Sequence, residues 1–478
     1  MIEFPYLSMR EWIEYLEEKK QLSHVKAEVD LRGEVSALAR RLNVLGAAGK
    51  NAPALLLENV KGYPGWRICT NTFATHERIS WALGADPENF LADVTPRLDQ
   101  RVPPMEVSTG PCKDVIIKEK DVDLLKLPIP FVGLSEGTPS LTAAMSNKRD
   151  IETGWENIAI RRLGLKGKNV LSEFINPGQQ DFQIWAKYRD RNIPMPVAYV
   201  IAPDPASYII SQTKQPLGVC EYDLVGAFTG SPLEVVKCET SEIRVPANAE
   251  IIIEGEIPPH EREMDGPFPE HVGYYSPIAD VARVHVKCIT MRKDPIFYFL
   301  DMGMPPTEGH NIGNTMLAMS TYRELVKEFP GILDCYAHSW VGPMVIRVKK
   351  DIAKNWANFA VQVAALAKFK CIFYLKVVIV VDEDVENIRD YFQVWNAIMS
   401  KFQASKDVTI IPRTVATVLD ASEPWAGQWG WQDFMVLDCT EPPAPYDEGF
   451  KRGVAQPPME FIEKVKRDWN SYEIGISY

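Results

Sequence analysis

The chain has no CxxC pair. Its eight cysteines stand at 69, 112, 220, 238, 288, 335, 371 and 439, too scattered for a metal knuckle or a disulfide framework. That spacing suits a reduced, cytoplasmic protein. No apolar run approaches about 18 residues, so no membrane span is expected. The opening MIEFPYLSMREWIEYLEEKK carries acids early and lacks an apolar core, so no secretory signal is expected either. No GxGxxG opens a helix, which leaves a dinucleotide fold without support, and GAAGKN (46–51) lacks the spacing and the Ser/Thr of a P-loop. HExxH and GxSxG are missing too. Bases are outnumbered, 52 Lys and Arg against 64 Asp and Glu, for a formal net charge of -12. That argues against a nucleic-acid binder and gives no support for an anionic-membrane binder. The seven histidines are isolated; His285 reads as structural, while His271 and His310, beside Gly/Pro turns, stand closer to chemistry.

What is present has the texture of a large globular chain. With 478 residues, 46% of them hydrophobic, two or three domains are expected. Ser8 and Glu11 form a capping-box pattern ahead of Trp12, Ile13 and Leu16, which predicts a first amphipathic helix. A helix over 34–45, a short buried strand at PALLLENV (53–60) and a helix at HERISWALG (76–84) complete an α/β segment. From about 110 to 300 short strand-like runs follow one another: KDVIIK, ENIAIRRLG, PVAYVIA, EIIIEGEI, ARVHVKCITM and PIFYFLD. They predict a β-barrel or sandwich, interrupted by one helix near 179–189. Residues 314–328 read as a helix that Pro330 ends. Beyond it come VIRVK, a helical run with Trp356, Phe359, Ala360, Val363 and Leu366, the apolar strand IFYLKVVIVVDEDV (372–385), another helix and VTIIP. That is the pattern of an α/β domain built from crossovers. The aromatic-rich WAGQWGWQDF (425–434) reads as a packed lid or as a pocket wall.

One stretch raises the question of chemistry. MDGPFPEHVGYYS (264–276) sets Asp265 and Glu270 five residues apart around Gly-Pro-Phe-Pro. Pro267 and Pro269 exclude a regular helix and push the residues before them towards extended geometry. The stretch is a stiff turn with an acid at each end, and HVGYYS reads as the start of a strand. Alone, it reads equally well as a surface turn with solvated acids.

Taken with WENIAIRRLG (155–164) and GVCEYDLVGAFTGSPLEVVKCET (218–240), the turn resembles the UbiD family of prenylated-FMN-dependent decarboxylases and carboxylases. The resemblance continues through CTNTFATHERISWALG (69–84), VDLLKLPIP (122–130), LKVVIVVDEDV (375–385) and VLDCTEPPAPYD (436–447), in order, over more than 350 residues. It implies an α/β (α+β) chain with an N-terminal α/β segment (1–95) and a flavin-reductase-like split β-barrel that binds prenylated flavin (96–310). A linker helix (311–330) then leads to a C-terminal α/β oligomerisation domain with its tail (331–478).

The same resemblance implies a site. The family's Asn-x4-Arg strand matches Asn157, a metal ligand, and Arg162, a catalytic arginine. Strict alternation would put Arg161 on the Asn157 face, so a bulge or strand exit is expected between them. The family's metal-binding histidine falls on Gln180, a departure from the pattern, although a Gln carbonyl oxygen still suits a hard cation. The third ligand matches Glu221. Mn²⁺ or Mg²⁺ held by Asn157, Gln180 and Glu221 would bridge protein and flavin phosphate, with K⁺ as a further candidate ion. Lys401 falls near a family basic position for that phosphate. Gln179 and the Ile160, Arg161 and Arg162 stretch would contact the flavin. The family pattern (E/D)-G-P-F-G-(D/E) matches Asp265 to Glu270, with Pro269 in place of the second Gly and Asp one methylene shorter than the usual Glu. It implies an acid–Arg–acid network in which Arg162 orients the substrate carboxylate, Glu270 cycles between proton donor and base, and Asp265 tunes the pair.

The activity implied is reversible, non-oxidative decarboxylation or carboxylation of an aromatic or α,β-unsaturated acid. CO₂ would be the second reactant, and a flavin prenyltransferase would supply the cofactor. No nucleic-acid partner is expected, and a homodimer or higher homo-oligomer is. The departure at Gln180 keeps a second reading open, a non-catalytic or partner-dependent subunit of a multi-subunit aromatic carboxylase. An FMN-binding reductase built on the same barrel is a third.

Overall fold

The computed structural model describes residues 2–133, 135–340, 342–423, 430–453 and 455–473; residues 425–429 of the Trp-rich stretch lie outside them. Alternating apolar runs in the middle of the chain close into a barrel. Six antiparallel strands follow in the order Ile251–Ile257, Met195–Ile201, Ser140–Arg149, Glu156–Gly167, Val170–Glu173 and Ala279–Met291, and the last pairs back to the first. Closure leaves the ring no free sheet edge at its seam. Val115–Lys118 and Arg262–Asp265 attach to Ala279–Met291 outside the ring.

The N-terminal sheet runs Leu22–Val25, Ala54–Leu57, Arg67–Thr70, Ile296–Tyr298. Its last strand is the run PIFYFLD, expected in the barrel, which instead pairs in parallel with Arg67–Thr70. A short, wholly apolar run suits any buried sheet position, so its pattern does not say which sheet receives it. Helix Met9–Glu18 packs Trp12, Ile13 and Leu16 inward and is capped by Ser8, whose hydroxyl accepts from Glu11 N at 3.3 Å.

Helix Glu308–Glu328 joins barrel to C-terminal domain and starts earlier than the expected 314. Gly309 and Gly313 hide its first turns, because glycine weakens a helical reading. Gly313 has a packing reason: a Cβ there would collide with the indole of Trp340. The C-terminal sheet runs Ile332–Ala337, Met344–Val348, Val377–Asp382, Trp431–Cys439, Val408–Val415, with its three central strands parallel. The strand expected over 372–385 is shorter, since residues 372–375 close a turn through Leu375 N to Ile372 O at 3.1 Å. Helix Tyr391–Lys401 buries Val394, Ala397 and Ile398 on this sheet and leaves Tyr391, Phe392, Trp395 and Met399 between 64% and 80% exposed. Among the described residues no helix is long and apolar enough to cross a membrane.

The register of Glu156–Gly167 positions the site. One edge pairs with Ser140–Arg149 from Glu156 to Gly164. The other edge pairs with Val170–Glu173 only from Leu163 onward. From Glu156 to Arg162 that second edge carries no strand.

Candidate active site

A cavity of about 560 Å³ runs along this unpaired edge. Consecutive residues Asn157 to Arg162 line it, since an edge, unlike a face, admits side chains of both parities. Gln179, Gln180, Glu221, Glu270 and His271 join them from the barrel side, and Trp340, Phe373 and Thr417 to Leu419 from the C-terminal domain.

The strand has no bulge that carries Arg162 onto the Asn157 face. Asn157 and Arg161 share one face, as strict alternation requires, and both bond buried Asp181: Asn157 Nδ2 donates to Oδ1, and Arg161 Nε to Oδ2 at 2.7 Å. Arg162 points the other way. The irregularity lies on the neighbouring strand, where Thr142 and Ala143 together face Arg162 alone.

On the Arg162 side the two acids of the turn separate. Arg162 Nη1 meets Asp265 Oδ2 at 2.6 Å, and its guanidinium lies 4.4 Å from the centroid of the Phe268 ring. Asp265 Oδ1 accepts from Ser172 Oγ at 2.9 Å and faces Lys166 Nζ at 3.2 Å. Burial works against an ionised Asp265, but Arg162, Ser172 and Lys166 outweigh it and hold the carboxyl below the usual range. Glu270 goes the other way. Burial raises it, Arg162 and the Ser276 hydroxyl offset this in part, and the charge on Asp265 adds to the rise. The turn is stiff, with Glu270 N bonded to Tyr274 O at 3.0 Å and Gly273 N to Glu270 O at 2.9 Å. HVGYYS is therefore not the start of a strand. It closes this turn through a bridge between Pro269 and Tyr275, and the strand begins at Ala279.

Asn157, Gln180 and Glu221 all line the cavity. The amide NH₂ of Asn157 is committed to Asp181, and that of Gln180 donates to Gln215 O at 3.0 Å. Both side-chain carbonyl oxygens are left without a donor among the described residues. Glu221 Oε2 accepts from Ile158 N at 2.8 Å, and burial pushes its carboxyl up to about 8. Two free amide oxygens and a buried carboxylate make an oxygen-only donor set that fits Mn²⁺ or Mg²⁺.

Lys401 does not reach this cavity. Its ammonium pairs with Asp382 at 2.8 Å and Asp384 at 2.7 Å on the C-terminal sheet. The cation that lines the cavity from the loop after Ser211 is Lys214, which donates to Cys371 O at 2.7 Å. His271 lines the cavity, 4.3 Å from Trp340 between ring centroids, and burial drives its imidazole down to about 3, so it is neutral. His310 stands behind it, bonded through Nε2 to His271 O at 2.5 Å and through Nδ1 to Thr307 Oγ1 at 2.7 Å. His285 pairs with Glu261 at 2.7 Å, away from the cavity. Sequence reasoning missed Asp181, Lys214, Lys166 and Ser172. Only Lys166 had a signal, lying two alternations beyond Arg162.

Comparison with known proteins agrees with this fold. Residues 105–305 match the 3-octaprenyl-4-hydroxybenzoate carboxy-lyase Rift-related domain, 13–98 the N-terminal domain of that carboxy-lyase and 310–439 its C-terminal domain. The UbiD-class enzyme HmfF from Pelotomaculum thermopropionicum, solved in complex with FMN, is 31% identical and superposes with a TM-score of 0.84, covering 95% of this chain and 98% of that one. An evolved dimeric form of HmfF in complex with prFMN is 31% identical, with a TM-score of 0.78 over 91% of this chain and 95% of that one. Vanillic acid decarboxylase of Sedimentibacter hydroxybenzoicus, in its open form, is 29% identical, with a TM-score of 0.84 over 97% of this chain and 99% of that one. A closed six-stranded barrel, an arginine between two inequivalent acids and matches along nearly the whole length lead to one conclusion: the chain belongs to the UbiD family of carboxy-lyases.

Proposed function

We propose that this protein is a reversible, non-oxidative decarboxylase and carboxylase of an aromatic or α,β-unsaturated acid that works with prenylated FMN. The observation that carries the reading is the split between two acids on one arginine: Asp265 held ionised against Arg162, Glu270 pushed towards its neutral form at the cavity wall. When bound, the prenylated flavin supplies the electron sink for cleaving the bond to CO₂. Ile160, Arg161 and Gln179 would hold its ring system. Asn157, Gln180 and Glu221, through a divalent ion, would hold its phosphate, with Lys214 as a further cation. Arg162 spends Nη1 on Asp265; its remaining N–H groups meet no acceptor among the described residues and can orient a substrate carboxylate. Glu270, when protonated, delivers the proton to the carbon that loses CO₂ and in the reverse direction takes it back. All eight cysteines are free and buried, in keeping with a reducing, cytoplasmic setting.

The test is proton exchange. Protein co-expressed with a flavin prenyltransferase is offered a panel of aromatic and unsaturated acids in D₂O. Glu270→Gln keeps shape and flavin and should lose exchange by roughly 10²–10⁴. Asp265→Asn should lose less. Full exchange in Glu270→Gln with none in Asp265→Asn would reverse the two roles; no effect from either would end the proposal.

A further inference from the structure

Arg162, Gly164 and Lys166 share one face of Glu156–Gly167. The carboxylate of Asp265 lies across all three. Arg162 takes Oδ2 at 2.6 Å, and Lys166 faces Oδ1 at 3.2 Å. Gly164 leaves room between them: a Cβ there would collide with Asp265 Oδ1 and stand 2.5 Å from Ser172 Oγ. Ser172, opposite Gly164 in the register, completes the cradle at 2.9 Å. The groups are shielded, with side-chain exposure of 15% at Lys166 and 2% at Asp265. Lys166 has no other acid within pairing distance among the described residues.

We propose that Lys166 is a positioning residue of the proton-transfer network. It clamps Asp265 against Arg162 and sets the charge that substrate and Glu270 meet. This rests on the decarboxylase reading above. Two consequences follow from elementary electrostatics. Ser172 already holds Oδ1 by a neutral hydrogen bond, and Lys166 adds a cation at that same oxygen, so both carboxylate oxygens face a positive charge and Arg162 is held in one orientation. Arg162, Lys166 and Asp265 sum to one positive charge, the complement of one substrate carboxylate. Without Lys166 the sum is zero. The other titratable groups around the turn do not supply the missing charge. Glu136, whose carboxyl accepts from Val132 N at 2.7 Å, is pushed up to about 7 by burial, and His271 and His310 are held neutral by burial. The loop carrying Glu136 grips the turn through Gly137 N to Pro267 O at 3.1 Å.

The experiment uses flavin-loaded holoenzyme and an acid already shown to exchange in D₂O with the unaltered protein. Absence of any such acid overturns the decarboxylase reading and the proposal with it. Lys166→Met should raise KM for that acid about tenfold with a smaller change in kcat, as a lost point charge weakens an ion pair. It should also move the basic limb of the pH profile up by about one unit, because removing a cation disfavours ionised Glu270. Flavin content should not change, since Lys166 does not line the cavity. Lys166→Arg should restore both values. A lower melting temperature with unaltered KM and pH limb would make Lys166 a structural strut and overturn the proposal. Should Lys166→Met not fold, Lys166→Arg decides: loss of KM and pH limb at an unaltered melting temperature shows that charge is not what Lys166 supplies.

Discussion

Asp181 shows what a single buried side chain does behind the cavity. It sits between Arg161 at 2.7 Å and Lys148 at 3.2 Å, and Lys148, fully buried, has Glu173 at 2.6 Å as a second partner. Burial alone would raise the Asp181 carboxyl, but Arg161 and Lys148 bring it down to about 2 from the usual 3.8. A carboxyl lowered on folding adds stability above the unfolded value and loses it as pH falls through the folded one, so this contribution fades between about 3.8 and 2. Asp181→Asn should cost on the order of 2 kcal/mol at neutral pH and flatten the acid limb of stability. Denaturant unfolding between pH 6 and 2 measures both. Motif spacing in the sequence picks out Asn157, Arg162, Glu221 and Glu270, which line one cavity, and Asp265, which pairs with Arg162. Asp181 and Lys214 carry no such spacing, because their contacts are with residues far away in the chain, and Lys166 shows only by its alternation with Arg162.

At the scale of elements, Gln180 opens the helix Gln180–Asp190 and presents its side chain to the cavity. A neutral amide oxygen is a weaker ligand than an imidazole for Mn²⁺. Gln180→His should therefore retain more metal through dialysis than the unaltered chain, by metal analysis of flavin-loaded protein; unchanged retention would show that this position is not a ligand. Elements with a strong period were legible from spacing: the barrel strands and the helices Met9–Glu18, His76–Ala82 and Gln180–Asp190. Where apolar content came without a period, the reading failed. PIFYFLD joined another sheet, and Phe373 and Tyr374 left the expected strand to line the cavity. The HVGYYS turn misled for a different reason, since its β-prone residues pack onto a turn that Gly273 closes at φ 87°.

The whole molecule presents one apolar surface too large to ignore. Tyr391, Phe392, Trp395 and Met399 fall within an arc of about 100° on their helix and are 64% to 80% exposed among the described residues, with His338 against the Tyr391 ring. We expect this face to pack against a second copy, giving at least a homodimer. Light scattering at micromolar concentration should find the dimer, and Trp395→Asp should yield a monomer of similar melting temperature, since Trp395 is 64% exposed in the single chain. The cavity itself has a consequence for how such a protein diversifies. Because it follows a strand edge, six adjacent codons line it at once, and on the function proposed above Asn157, Ile160, Arg161 and Arg162 among them would serve cation, flavin and substrate together. On that reading new acid preferences would arise across the gap, at Trp340, Phe373 and Thr417 to Leu419, where the C-terminal domain supplies the wall. Saturating those five positions should change which acids exchange, while saturating Asn157 to Arg162 should return mostly inactive chains.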